Sequence, residues 1–448
     1  MTNRRKFMRD LLVAGGTLGA MGGFSGLTRL AAAGGASSHQ HYVFAYFSGG
    51  WDVLLSLDPR DPATFTPEDN RIGPDYDQLV GAPTNEVRTI GGMTFGPHIG
   101  MLSDHADRLA IIRGMSMETL THEVGRRRFL TGHPPSGLSA RGSSIATWIS
   151  ARNGVLDPVP HLSIGVETYN VDQPTYASAL RVGGAADLVR VFTPGTPMLD
   201  PSQDDILQAF LSSESGCDRS RHSPMLREAD GSRERLLGML ESNLAGLFDI
   251  GRMEAALKDR FAVTGTDYTT PEAQSLVAYQ ALTNGVSRCV SLSPATGLDT
   301  HFTEWTRDQG PRQQRGFDSI ARLVTELQGA AYAPEGFTPD GTTWLDHTTI
   351  VGFSEFSRTP IRNDRGGRDH WLGNSCFMIG GNVRGGVVGR SSDYGMEPQP
   401  VNLETGEYDP AGEVILPDHI LRTLMVDAGV TVDEADLRVD PVRAIIPV

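Results

Sequence analysis

Cysteine is scarce. Three residues in 448, Cys217, Cys289 and Cys376, are too few for a disulfide framework. At most one pair can form in an oxidising compartment. Cys289 and Cys376 lie in apolar runs and read as buried thiols. None of the spacings matches a zinc–thiolate site. A long apolar run is missing too: the weakly apolar stretch Leu11–Leu27 is too rich in Gly and too interrupted to be a stable membrane span. There is no internal repeat and no low-complexity tract, although 52 Gly and 27 Pro announce many loops. Positive charge is in deficit: 39 Lys+Arg stand against 54 Asp+Glu, a formal −15. Arg4, Arg5, Lys6, Arg9 and Arg29 against Asp10 give the first 33 residues +4, so the remainder carries −19. Such a surface argues against nucleic acid and against adhesion to anionic lipid. A locally positive pocket for a small anionic substrate is still compatible with it.

What is present begins with a targeting segment. Asn3-Arg4-Arg5-Lys6-Phe7-Met8 resembles the twin-arginine export signal, and Ala31-Ala32-Ala33 offers a small-residue cleavage site. Residues 1–33 are therefore expected to be removed on export through the twin-arginine machinery. The mature protein would then be periplasmic or secreted, with no stable membrane span after processing.

At this length the chain can bury one large core with an added subdomain. Tyr42–Phe47 reads as a strand that leads into Ser48-Gly49-Gly50-Trp51-Asp52. Asp52 there suits a site carboxylate, and equally a turn residue or helix N-cap. Residues 58–95 are loop-like. Pro97–Asp107 reads as a short helix and Leu109–Arg113 as a strand, followed by Ser116 and the cluster Thr121-His122-Glu123. A helix over Val124–Thr131 carries Arg126, Arg127 and Arg128, either an anion clamp or a solvated face. Further elements are expected at Ser143–Arg152 (helix) and His161–Val166 (strand). From 201 to 284 the periodicity is helical, which predicts an insertion or lid between core segments 41–200 and 285–448.

Val286–Leu292 reads as the next strand and leads to Asp299-Thr300-His301. Two residues apart in extended backbone, Asp299 and His301 share a side and suit a divalent metal. The apolar run Thr348–Phe353 reads as a buried parallel strand. Directly after it come Ser354, Glu355, Ser357 and Arg358, then a Gly/Arg-rich loop that delivers Asp369 and His370. Helices at Arg312–Gln328 and Pro417–Val426 and a strand at Cys376–Gly380 complete the pattern. Four apparent strand ends thus each deposit a carboxylate or a histidine, where open α/β sheets bind ligands.

The twin-arginine start, SGGWD, GLDTHF, SEFSRTP, GGRDHW and GGNVRGG resemble an exported bacterial family known as domain of unknown function 1501. That family is similar to the alkaline phosphatase and sulfatase superfamily. The resemblance implies an α/β doubly wound sandwich with a mostly parallel central sheet, a helical insertion and metal ions at the sheet's carboxyl end. It matches Asp52 to the first-strand ligand, Asp299 and His301 to an Asp and its nearby His, and His370 to a late His. Glu355 begins what should be an Asp-His pair, but Phe356 stands where the His belongs. RRRFLTGHPP resembles the sulfatase segment that follows the nucleophile, which puts Glu123 at the nucleophile position, beside His122.

The expectation is an exported metal-dependent hydrolase of phosphate or sulfate esters, holding one or two divalent ions (Zn, Mn or Fe). Metal-ligand candidates are Asp52, His122, Asp299, His301, Glu355, Asp369 and His370. Thr121 and Ser116 are candidate nucleophiles beside direct attack by water, and Arg358 a candidate anion clamp. A non-catalytic exported binding or scaffold protein on a degenerate form of the same fold is the alternative.

Overall fold

A computed structural model describes residues 39–193, 202, 203, 206, 209 and 244–446, except 138, 335, 336 and 431–434. The expected export signal, Cys217 and most of residues 201–243 lie outside these residues.

An eight-stranded sheet forms the centre. Its strands are β1 (His41–Phe47), β2 (Leu109–Ser116), β3 (His161–Ile164), β4 (Leu180–Val182), β5 (Cys289–Ala295), β6 (Thr348–Phe353), β7 (Gly373–Gly380) and β8 (Gly386–Val388). Their order across the sheet is β8-β2-β7-β6-β1-β5-β3-β4. Every pairing is parallel except the two made by β7, which runs antiparallel to both β2 and β6. β1 and β6 are buried along their whole length, as strands covered on both faces must be.

Alternation along the strands divides the core in two. Val43, Ala45 and Phe47 face one apolar layer, while Tyr42, Phe44 and Tyr46 face the other. The first layer is covered by helices Pro271–Thr283 and Gly310–Gly329, the second by His122–Thr131, Ile145–Asn153 and Pro417–Asp427. The result is a mixed α/β sandwich with helices on both faces of a mostly parallel sheet. Cys289 and Cys376 are free, buried thiols. Among the described residues no helix is long and apolar enough to cross a membrane.

Local signals explain most boundaries. The Pro271–Thr283 helix starts with the Thr270 hydroxyl accepting from the Ala273 amide, and with Pro in its first turn. Several expectations need adjustment, among them the strand expected over Val286–Leu292, which lies at Cys289–Ala295. The strand expected to end at Arg113 continues to Ser116. The helix expected from Val124 begins at His122, and residues 67–70 and 88–95 contain a short helix and a two-stranded hairpin.

One buried group couples the fold to pH. His161 on β3 is buried and meets the Ser291 hydroxyl on β5 at 2.9 Å. Burial pushes its imidazole down to about 3, so the folded state keeps it neutral where an unfolded chain would protonate it. The stability this represents is present above about pH 6.5 and is lost as pH falls from there toward 3. Between pH 6.5 and 4.5 the loss is about 2–3 kcal/mol. His161→Gln should show a shallower acid limb by that amount in urea unfolding; identical pH profiles would remove His161 from the acid response.

Candidate metal centre

Three histidines and one aspartate converge beyond the carboxyl ends of the parallel strands. Asp299 and His301 follow β5, and His122 opens the helix after β2. His370 precedes β7, whose reversed direction brings its N-terminal end to the same side. Asp299 Oδ1 lies 3.3 Å from His122 Nε2, 3.0 Å from His301 Nε2 and 3.1 Å from His370 Nε2. The ligand atoms of His122, Asp299 and His370 all fall within 4.8 Å of one another. His301 Nε2 and His370 Nε2 are 3.0 Å apart.

Each imidazole is held from behind through its other nitrogen. His122 Nδ1 meets Glu355 Oε1 at 2.7 Å, His301 Nδ1 meets Asp369 Oδ1 at 2.6 Å, and His370 Nδ1 meets the Leu120 carbonyl at 2.7 Å. With Glu355 and Asp369 ionised, all three partners only accept, so all three Nδ1 atoms donate. In their neutral form the rings would turn Nε2 lone pairs toward one another and toward a carboxylate oxygen. The Arg358 guanidinium offsets part of that negative field, at 2.6 Å from Asp299 Oδ1 and 3.4 Å from His301 Nε2, and a metal ion among the three nitrogens would offset the rest. Histidines backed by carboxylates or carbonyls are the pattern that orients metal ligands. Imidazole nitrogen with one carboxylate suits zinc, manganese or iron, and the 3.0–3.3 Å spacings are close to the ~3.3 Å between donors sharing an ion at about 2.0–2.1 Å.

Charge supports the same arrangement. Partial burial works against ionised Asp299, but the hydrogen bond and the charge of Arg358 hold its carboxyl well below the usual carboxylate range. Glu355 is buried, which opposes its charge, yet the bond to His122 and its own backbone environment keep it ionised. Burial lowers His370, outweighing the bonds to Leu120 and Asp299. For His122 burial also lowers the pKa, but the Glu355 bond and the charges of Glu355 and Asp299 raise it overall.

Several expected ligands have other work. Asp52 is fully buried and caps the turn Val53–Leu55: its Oδ1 accepts from the Leu54 amide at 3.1 Å, and its Oδ2 accepts from the Trp305 indole at 2.8 Å. Arg368 Nε lies 3.3 Å from that second oxygen. The N-cap alternative is therefore what the structure shows for Asp52. Glu355 and Asp369 stand behind histidines and do not join the converging atoms. Glu355 also accepts from the Gly49 amide at 2.9 Å. Phe356 fills the gap left by the expected histidine with an aromatic wall, its ring centroid 4.7 Å from His122 and 4.2 Å from His370.

The expected catalytic groups are also placed differently. Among the described residues, neither Ser116 nor Thr121 hydrogen-bonds through its hydroxyl to any of the three histidines or to Asp299. Ser116 ends β2, and Thr121 precedes the helix with its side chain uncapped. Arg358 is buried, and its guanidinium is spent on Asp299 (2.6 Å), on His301 Nε2 (3.4 Å) and on the carbonyls of Gly49, Gly50 (2.9 Å) and Arg368 (3.2 Å). It is not free to clamp a substrate anion. Arg126 pairs with Glu167, Arg127 donates to Tyr169, and Arg128 pairs with Glu118 and Asp418. Sequence reasoning missed Leu120 and Arg368; only Arg368 left a signal, in its place beside Asp369 and His370.

Two glycines bring the backbone close enough. Gly49 has φ +112°, and a Cβ there would lie 2.7 Å from the Asp299 amide nitrogen. At Gly125, in the helix that carries His122, an added Cβ would lie 2.2 Å from the Glu355 carbonyl oxygen. Helix propensity favours Gly→Ala by about 0.5–1 kcal/mol, but overpacking costs about 1–3 kcal/mol. Gly125→Ala should therefore be net destabilising and should lengthen the His122–Glu355 bond. A raised denaturation midpoint would show that the helix moves aside freely.

Among solved structures, the chain is similar to one described as a protein in the alkaline phosphatase superfamily from Vibrio parahaemolyticus. Identity there is 10% and the TM-score 0.37, covering 98% of this chain and 78% of that one. It is also similar to Ps i-CgsB in complex with k-i-k-neocarrahexaose, at 11% identity and TM-score 0.38, covering 90% of this chain and 75% of that one. Likeness of this degree leaves the chemistry to this chain's own residues. No functionally curated protein matches the sequence. One family profile does, over residues 39–405, a span that takes in all four converging side chains, and the chain belongs to that family, described as Protein of unknown function (DUF1501).

Proposed function

We propose that this protein is a metal-dependent hydrolase of phosphate or sulfate esters, exported by the twin-arginine route to the periplasm or beyond. The observation that carries the reading is the 3.0 Å approach of His301 Nε2 to His370 Nε2, with both opposite nitrogens committed as donors. His122, His301, His370 and Asp299 would hold the ion. When bound, a divalent ion polarises an ester oxygen, offsets developing charge and lowers the pKa of water. Glu355 and Asp369 fix the tautomers of His122 and His301 and make them better donors. Arg358 holds Asp299 ionised and in place. Phe356 keeps water from one side of two rings. With neither Thr121 nor Ser116 hydrogen-bonded to the cluster through its hydroxyl, water is the attacking group in this reading.

The test is purification of the exported protein, metal analysis, and assay with aryl phosphate and aryl sulfate esters, before and after chelation. Turnover that chelation removes and metal restores supports the reading. A protein that takes up no ion from excess zinc, manganese or iron would overturn it. The second reading, a non-catalytic binding or scaffold protein, draws on the commitment of Arg358 to Asp299 and backbone carbonyls. It predicts a bound ion with no turnover of either ester class.

A further inference from the structure

We infer that the centre takes a single ion, because the buried guanidinium groups of Arg358 and Arg368 already stand where a second cation would neutralise the nearby carboxylates. This rests on the metal reading above and adds its count. All three imidazole Nε2 atoms point at one oxygen, Asp299 Oδ1. Two further carboxylates beside the cluster are buried and committed: Asp52 to Leu54, Trp305 and Arg368, and Glu355 to His122, Gly49 and Ser354. Asp52 and Arg368 side chains are each 0% exposed.

Neither arginine can withdraw to admit an ion. Arg368 donates to the Thr359 carbonyl at 3.0 Å and to the Gly73 carbonyl, and pairs with Asp75 at 3.3 Å. Its guanidinium also lies 4.7 Å from the centre of the Trp305 ring. Arg358 is tied to three backbone carbonyls besides Asp299. A guanidinium does not deprotonate in a protein, so its charge persists at any working pH. A second divalent ion beside Asp52 would face two fixed positive charges and meet no free donor. The consequence is a division of labour: one exchangeable cation that can activate water, and two permanent ones that set the field and bind no water for attack.

The test counts ions. The full protein is stripped with a chelator, refilled in turn with excess Zn(II), Mn(II) and Fe(II), freed of unbound metal and weighed by native mass spectrometry. One ion per chain is expected with whichever metal binds. Two ions per chain would overturn this inference while leaving the metal reading intact; none with any of the three would overturn both. Asp52→Asn, isosteric and able to keep the Trp305 bond, should still hold one ion, with a lower melting temperature from the unpaired Arg368. A folded Asp52→Asn protein that binds none would make Asp52 a ligand and end the argument. Should that variant fail to fold, the count on the unaltered chain decides alone.

Discussion

His301→Ala is expected to strip the ion, lowering affinity by more than about a hundredfold. The substitution removes one of three nitrogen donors and also releases Asp369, which His301 holds at 2.6 Å. Asp369→Asn removes only the partner behind the ring, for which a loss of about 10–100-fold is ordinary. The order of the two effects is the informative part. A ligand set centred on Asp299 requires His301→Ala to exceed Asp369→Asn in metal titration followed by calorimetry. The protein should report the same loss in its stability. At a metal concentration 100 times Kd, an ion that binds only the folded state adds about 2.7 kcal/mol, and His301→Ala should forfeit nearly all of it. Equal metal content in the variant and the parent would take Asp299 and His301 out of the centre.

Asp58→Asn is expected to lower stability by about 3–5 kcal/mol at neutral pH, the usual result of removing one member of a buried charge pair. Asp58 is buried; it meets Arg60 at 2.7 Å and Arg113 at 3.6 Å, and accepts from the Ser391 hydroxyl at 2.5 Å. Burial opposes its charge, but Arg60 and Arg113 hold its carboxyl below the usual range. Asparagine would leave the largely buried Arg113 without its counter-charge and Arg60 with only the exposed Asp393 at 3.7 Å. Because the folded pKa is depressed, the contribution is present above about pH 4 and vanishes as pH falls through the folded value. The gap between variant and parent should therefore close in acid. With folded proteins commonly only 5–15 kcal/mol stable, a loss of this size is easily read from a urea midpoint. A gap below about 1 kcal/mol at pH 7 would mean that Asp58 is dispensable, far short of a broken buried pair.

How much of this was legible in the residues alone varies with range. Thr348–Phe353 declared itself as a buried strand because six residues in a row are covered, with polar residues directly after them. Asp299 and His301 could be paired because extended backbone puts alternate residues on one side, and they do meet at 3.0 Å. His370 was visible as a histidine in a loop aimed at the same end of the sheet. What could not be seen was set by distant partners. Asp52 looks the same in sequence whether it binds metal or an arginine 316 positions later, and only the approach of Arg368 and Trp305 decides. An apolar run such as Gly373–Gly380 carries no mark of its direction, so the reversal of β7 was hidden. Arg358 and Phe356 were read by type, as clamp and as defect. Packing made the first a tie to backbone carbonyls and the second a wall between two rings.

The reversed strand has a consequence for how the protein holds together. β7 lies inside the sheet, between β2 with its outer neighbour β8 on one side and the five-strand remainder on the other. His122 belongs to the smaller half, Asp299 and His301 to the larger, and His370 to the seam. An ion shared by these four side chains would be a clasp across that seam. Withdrawing it loosens the join before it loosens either half, so amide exchange should quicken first along β2 and β7, with β1 and β5 the last to open.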